Sequence, residues 1–348
     1  MFDVLTLLQD VRTRVESPCA VILGSPRLAT DIVADLPLID ITCFQLDLYQ
    51  AHKLTTDLAD GGLTAEVVCL PDLWDLPAKF RTVLFPVPKH GERELKLDMM
   101  EQGYHILQPG GQFLSLSEYP KDTFLPKMHK KIFGKCSEMP ARKIGGIFWS
   151  VRKPEDVERR RHEVTFRAKT AEHPSRAFLS RPGVFSYGGF DDGARALVEC
   201  SRLDPGESVL DLGCGTGAVG ILASDSVGPT GKITFADSNV RAITMAKINA
   251  AANGLTDFEA IATWDMSGLK PAGYDAILAN PPYFAQSSIA AMFIEKSKAL
   301  LAPGGTFYIV TKMPKAISPL MIDTFGDVYA QEHRGYTVMQ ASVEGPGE

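Results

Sequence analysis

The sequence predicts an α/β protein made of two tandem copies of one domain, each built on a mainly parallel, doubly wound sheet. Three observations carry this. Short apolar, β-branched runs alternate with longer runs of helical period, the pattern of strands covered on both faces by crossover helices. The chain also repeats itself: Ile41-Thr42-Cys43-Phe44 and Gly62-Leu63-Thr64 recur, both 192 residues later, as Ile233-Thr234-Phe235-Ala236 and Gly254-Leu255-Thr256. Finally, 348 residues suit two domains of ordinary size.

In the first copy, Val21-Ile22-Leu23-Gly24 reads as an opening strand and parallels Val209-Leu210-Asp211-Leu212-Gly213 in the second. Ile106-Leu107-Gln108-Pro109-Gly110-Gly111-Gln112-Phe113 likewise parallels Leu300-Leu301-Ala302-Pro303-Gly304-Gly305-Thr306-Phe307. A period this long is too great for a solenoid and points to a duplicated domain. In the second copy, 208–212, 232–236, 258–262, 274–279 and 306–311 read as strands, and 218–224, 240–253 and 287–301 as helices. Pro303-Gly304-Gly305 reads as the stop of the last helix. The resulting division is a domain over 1–144, a connector over 145–181 with room for a hairpin, and a second domain over 182–348. Gly145-Gly146, Pro154, Pro174 and Pro182 mark the connector.

Composition removes several classes. Hydrophobic residues are 45% and charged residues 22%, an ordinary globular balance. No apolar run approaches the ~20 residues of a membrane span, and Met1-Phe2-Asp3-Val4-Leu5 lacks the basic region of a secretory signal. Six cysteines lie far apart with no C-x-x-C pair, against a disulfide framework or a zinc ribbon. The expectation is a cytoplasmic monomer with neither metal nor membrane. Charge is uneven: 121–181 hold 16 Lys and Arg against 7 Asp and Glu, so with a net charge of −6 the rest of the chain carries −15. Lys127, Lys130, Lys131 and Lys135, then Arg142 and Lys143, Arg152 and Lys153, and Arg159, Arg160 and Arg161 form a belt that suits phosphates or, equally, a solvated linker.

Val209-Leu210-Asp211-Leu212-Gly213-Cys214-Gly215-Thr216-Gly217 is a strand running into a glycine-rich turn that opens a helix. Glycines let the backbone approach a ligand, and the helix N-terminus offers unpaired N–H groups. Asp237-Ser238 closes the next strand, with Asp237 twenty residues after Gly217, where a carboxylate can accept both hydroxyls of a ribose. NAD and S-adenosylmethionine (SAM) both answer that description. The dinucleotide fingerprint needs a third glycine in G-x-G-x-x-G spacing, whereas this run reads Asp-Leu-Gly-Cys-Gly-Thr-Gly with the acid in front. It resembles motif I of the class I SAM-dependent methyltransferases. The resemblance implies that Asp211, Gly213, Cys214, Gly215, Gly217, Asp237 and Ser238 hold SAM, whose product is S-adenosyl-L-homocysteine, and that Trp264-Asp265 after the third strand take its adenine.

Ile277-Leu278-Ala279-Asn280-Pro281-Pro282-Tyr283 follows the fourth strand, whose C-terminal end should face the ligand crevice. Two prolines remove two N–H donors and freeze a turn, and Asn280 adds a side-chain carbonyl. An exocyclic aromatic amine is a poor nucleophile because its lone pair is delocalised. Acceptors from Asn280 and the Pro281 carbonyl would hold its protons and direct the lone pair, while Tyr283 stacks on the planar base. The motif resembles the N-P-P-Y corner of methyltransferases acting on adenine N6, guanine N2 and protein glutamine.

Arg181-Pro182-Gly183-Val184-Phe185-Ser186, with Gly189, Asp192 and Gly193 before a helix, resembles the entry to the catalytic domain of the ribosomal RNA small subunit methyltransferase C and large subunit methyltransferase G families. Arg334-Gly335-Tyr336-Thr337-Val338 resembles their closing strand. Those guanine-N2 enzymes carry a degenerate copy in front of the active one. The resemblance therefore implies two tandem Rossmann-like methyltransferase domains, with Phe185 and Asp192 bordering the SAM site. Residues 1–144 would be the degenerate copy, acting as a platform for ribosomal RNA or a ribosomal subunit. Leu23-Gly24-Ser25-Pro26 replaces Asp211, Gly213 and Gly215, Gln45 replaces Asp237, and Phe85-Pro86-Val87 replaces Asn280-Pro281-Pro282. One departure stands: those families usually show Asn-Pro-Pro-Phe-His, and this chain has Tyr283-Phe284. Alternatives are therefore an adenine-N6 methyltransferase, a glutamine-N5 methyltransferase of release factors, whose N-terminal domain would be helical, and a SAM-binding RNA scaffold without catalysis.

Overall fold

The computed structural model describes residues 4–37, 40–140, 143–155, 157–281 and 286–345. It divides into two compact units between His162 and Glu163. The first runs α1 (Val4–Val11), β1 (Cys19–Ile22), α2 (Pro26–Asp35), β2 (Ile41–Gln45), α3 (Leu48–Asp60), β3 (Glu66–Cys69), β4 (Phe80–Val87), α4 (Arg93–Ile106) and β5 (Leu107–Ser117). It ends with α5 (Phe124–Phe133), β6 (Ser137–Glu138) and β7 (Gly146–Val151). Its sheet has the order β3-β2-β1-β4-β5-β7-β6, with β7 antiparallel to β5.

The second unit opens with a hairpin, β8 (Val164–Ala168) and β9 (Arg176–Ser180). There follow α6 (Asp192–Cys200), β10 (Ser208–Leu212), α7 (Ala218–Val227), β11 (Lys232–Asp237), α8 (Val240–Ala252), β12 (Phe258–Ala262) and β13 (Tyr274–Ala279). The unit closes with α9 (Gln286–Leu300), β14 (Leu301–Thr311), α10 (Pro314–Phe325), β15 (Tyr329–His333) and β16 (Tyr336–Ser342). Its order, β12-β11-β10-β13-β14-β16-β15, is that of the first unit, again with an antiparallel strand beside the last parallel one. The duplicated, doubly wound architecture is therefore present, and the central strands are apolar on both sides. Val209 packs into one core with Ile221 and Phe235, while Leu210 packs into another with Ile277 and Ile309.

The stretch 145–181 is shared between the units. Gly146-Ile147-Phe148-Trp149 starts β7, which lies between β5 and the short β6 in the first sheet, because its apolar residues have β5 to pair with. The hairpin belongs to the second unit, where Phe166 and Phe178 stack at 5.4 Å and join the core.

Pro303-Gly304-Gly305 does not stop a helix. α9 ends at Leu300, the strand starts at Leu301, and the triplet sits inside β14, where the register with β13 shifts between Tyr274 and Ala276. Gly304 has φ +84, and a Cβ on Gly305 would stand 2.9 Å from the carbonyl oxygens of Ala302 and Tyr274. Gly110 and Gly111 repeat both features in β5. The motif is a bulge that only glycine fits.

Strand pairing also corrects the correspondence between copies. Asp211 pairs with Phe235 and Leu278, as Val21 pairs with Cys43 and Leu84. Val21, not Leu23, therefore stands where Asp211 does, and Asn280 corresponds to Pro86, not Phe85. Among the described residues no helix is long and apolar enough to cross a membrane.

Candidate active site

Strand order reverses between β10 and β13, the place where open α/β sheets gather ligands beyond the strand ends. Leu212 pairs with Ala279, so the next residues, Gly213 and Asn280, begin the two connections that flank this point. Gly213, Gly215 and Gly217 have φ of +75, +54 and +80, values that strain any residue bearing a Cβ. The N–H groups of Gly213 and Cys214 both donate to the Ala236 carbonyl, at 2.8 and 3.0 Å, which pins the loop to the end of β11. A Cβ on Gly215 would meet nothing nearer than the Cβ of Phe185 at 4.0 Å. One side of the loop backbone is therefore open, with Phe185, 52% exposed, at its border.

Asp237 bridges the loop and the start of α8: Oδ2 accepts from Gly215 N–H at 2.9 Å and Oδ1 from Asn239 N–H at 2.8 Å. Ser238 beside it is half-buried. Asp211 is buried against α7, where Oδ2 accepts from the Gly220 N–H at 2.8 Å. Burial pushes its pKa up to about 7, against the pull of the Gly220 bond, and the Asp237 charge adds to the rise. Asp211 thus braces the loop from within. Burial also drives the Cys214 thiol well above its ordinary value, so Cys214 contributes shape and not reactivity. Asp265 closes its own turn after β12, accepting from Ser267 N–H at 3.0 Å and Thr263 Oγ1 at 3.2 Å. Hydrogen bonds from Ser267 hold its carboxyl below the usual range. Trp264 next to it is half-buried.

Asn280 donates from Nδ2 to Asp191 Oδ1 at 3.0 Å, and Pro281 is buried. Pro282, Tyr283 and Phe284 lie outside the described residues. Asp192, implied as a neighbour of the cofactor, instead turns an exposed side chain toward Arg195. The residue that reaches the site is Asp191, the N-cap of α6. In an Asp-Asp pair before a helix, only the helix start decides which acid caps.

Sequence reasoning also passed over Gly220. It completes a G-x-G-x-x-G with Gly215 and Gly217, and a Cβ there would stand 2.7 Å from the Phe235 ring. Its role is the close helix–strand packing that the fingerprint describes, so the glycine spacing alone does not separate the two cofactors. The sheet does: β16 runs antiparallel between β14 and β15, in place of the 3-2-1-4-5-6 order of dinucleotide-binding sheets.

Comparisons agree with that geometry. A family model described as the methyltransferase small domain matches residues 175–340. The ribosomal RNA small subunit methyltransferase C of Chromohalobacter salexigens is 34% identical over 175 residues, 47% of this chain and 50% of that protein. The ribosomal RNA large subunit methyltransferase G of Pseudomonas syringae pv. tomato is 28% identical over 276 residues, 75% and 70% of the two chains. The uncharacterized protein YbxB of Bacillus subtilis is 34% identical over 172 residues, 47% of this chain and 84% of that one. The chain thus spans about half the length of the first of these relatives. Among solved structures, the T. thermophilus 16S rRNA N2 G1207 methyltransferase, in complex with AdoMet and guanosine, superposes with a TM-score of 0.74. That likeness covers 97% of this chain and 92% of that one at 18% identity, and it shows the shared tandem fold. The chain belongs to the methyltransferase small domain family.

Proposed function

We propose that this chain is a SAM-dependent methyltransferase acting on an exocyclic amine, the N2 of guanine in ribosomal RNA. The observation that carries it is the placement of Asn280 and the open glycine loop on adjacent strand tips at the reversal of the sheet. The relatives named above as ribosomal RNA methyltransferases, and the structural neighbour described with AdoMet and guanosine, support the choice of base and cofactor.

The residues present fit SAM. The Gly215 backbone has an open face, and Asp237, fastened to that glycine, carries a carboxylate that would accept the two ribose hydroxyls. Gly213, Gly215, Gly217, Asp237, Ser238, Trp264 and Asp265 would hold the cofactor, with Asp211 and Cys214 supporting the loop and Phe185 at its edge. Once bound, SAM supplies an electrophilic methyl on a sulfonium. The Asn280 amide carbonyl and the Pro281 carbonyl accept the protons of the base amine, which favours a lone pair directed out of conjugation. Tyr283 stacks on the base and fixes its plane. With a neutral thioether as leaving group, orientation at about 3 Å supplies much of the catalysis.

The first unit serves this reading as an RNA platform. Lys127, Lys130 and Lys131 form an exposed face of α5, whose other side buries Leu125, His129 and Phe133. Such a face suits a phosphate backbone. The decisive experiment supplies SAM labelled on the methyl group with unmodified ribosomal RNA and with release factor. Label on guanine N2 is the expected result. Label on adenine or on protein glutamine would move the assignment to those substrates, and SAM binding without transfer would leave a scaffold.

A further inference from the structure

Asn280 and Asp191 come from distant parts of the second unit. Asn280 follows β13, whereas Asp191 caps α6 and ends the segment that leads from the hairpin into the sheet. The same Asp191 oxygen that takes the Asn280 Nδ2 proton also accepts the Ala194 N–H, at 3.0 Å each. That segment touches three strand tips. The Gly183 carbonyl accepts from Asn239 Nδ2 at 2.7 Å, beside Asp237; Phe185 borders Gly215; and Asp191 reaches Asn280. Residues 183–191 are thus a strap across the ends of β10, β11 and β13.

We propose that Asp191 is a positioning residue: its carboxylate holds the donor end of the Asn280 amide and thereby turns the amide carbonyl toward the reacting amine. The inference rests on the function proposed above. An amide is nearly symmetric in shape and opposite in polarity, so a half-turn of the side chain exchanges acceptor for donor. An amine that must give up its protons needs the acceptor. An ionised carboxylate only accepts, and the flipped amide would set oxygen against oxygen. The bond it makes to Nδ2 is charge-assisted and stronger than a neutral one. Asp191 is itself held by the first turn of α6, where the helix N-terminus favours a negative charge. The amide orientation is therefore built into the fold before any substrate arrives.

Two substitutions in the full chain test this. Asp191→Ser keeps a good helix cap but is too short to reach Asn280. Asp191→Asn keeps both cap and reach, yet lets the two amides flip together. With SAM and unmodified ribosomal RNA, kcat should fall about tenfold or more in Asp191→Ser and by a smaller factor in Asp191→Asn. SAM affinity and Tm should stay near the parent values. Full kcat in either variant, or a loss of SAM affinity that matches the loss of kcat, would overturn the proposal; if Asp191→Ser folds poorly, Asp191→Asn decides. A second readout needs no turnover. In protein labelled with 15N-asparagine, the Nδ2 protons of Asn280, assigned by their loss in Asn280→Ser, should shift in Asp191→Asn. Unmoved protons would remove the contact itself. A parent that transfers no methyl would sink the functional reading, while those protons still report on the positioning.

Discussion

Gln45 and Asp237 end the second strand of two sheets with one order, and the hydrogen bonds they make run in opposite directions. Asp237 accepts from the Gly215 N–H. Gln45 is buried and donates from Nε2 to the Gly24 carbonyl at 2.7 Å. The neighbouring strand tip differs in the same sense. Where the second unit has Asn280 fastened to Asp191, the first has Pro86, whose ring would lie 3.5 Å from a Cβ on Gly24. Ala29 would lie 3.3 Å from the same point. The first unit thus packs its strand ends against one another with side chains, and the second holds polar groups around an open loop. Sheet order follows from burial of the strands, which both units share. Chemistry depends on a few groups at the tips, and a fold can keep its shape after losing all of them.

The sharpest way to break this comparison is at Asn280. Asn280→Ala removes the amide carbonyl and makes that tip as unable to accept a proton as Pro86 is. Methyl transfer should fall by roughly 100-fold or more, the scale of losing a positioned acceptor in the transition state. SAM affinity, measured by calorimetry, should hardly change. Parallel losses of both would mean that Asn280 shapes the cofactor site and not the reacting base.

Asp211 and Val21 occupy matching places, one a buried carboxyl and the other a buried hydrocarbon. With the Asp211 pKa raised from 3.8 to about 7, the folded protein keeps a proton that the unfolded chain has lost across that interval. Stability should therefore fall as pH rises through the window, with the loss complete above it. Asp211→Asn still offers an oxygen to the Gly220 N–H and carries no such dependence. Between about pH 5 and about pH 8 the variant should gain on the parent by a few kcal/mol at most, at ~1.4 per pKa unit. Equal pH profiles of Tm would show that the carboxyl is ionised throughout.

Much of this contrast was legible in the sequence, and the exceptions have physical causes. Strands such as Ser208–Leu212 and Tyr274–Ala279 stand out because burial on both faces demands mostly apolar residues, interrupted here only by Ser208, Asp211 and Asp275. Gly213, Gly215 and Asp237 declare themselves by spacing after a strand. Pro303-Gly304-Gly305 misleads because turn residues do not say whether a strand resumes after a helix or already runs through them. The one-residue displacement of Asn280 onto Pro86 needs ladder pairing, since Phe85 and Ala279 give no local anchor for an alignment. Asp191 was hidden because its partner lies 89 residues away, and nothing in an Asp-Asp pair names the member that caps. Gly220 was visible all along in the spacing of the loop.

The smaller effects set Asp237 directly against Gln45. Asp237→Ala deprives SAM of a charged acceptor and frees the Gly215 N–H, so affinity should weaken by roughly 1.5–3 kcal/mol. Gln45→Ala leaves the Gly24 carbonyl buried without its donor, at about 1–3 kcal/mol of stability. It should leave SAM affinity where it was, because the loop it braces is packed with side chains. Calorimetry on both variants, paired with denaturant unfolding, separates a binding loss from a packing loss. If Gln45→Ala weakened SAM as much as Asp237→Ala does, the first unit would be taking part in cofactor binding, and its closed strand tips would not be the mark of a lost site.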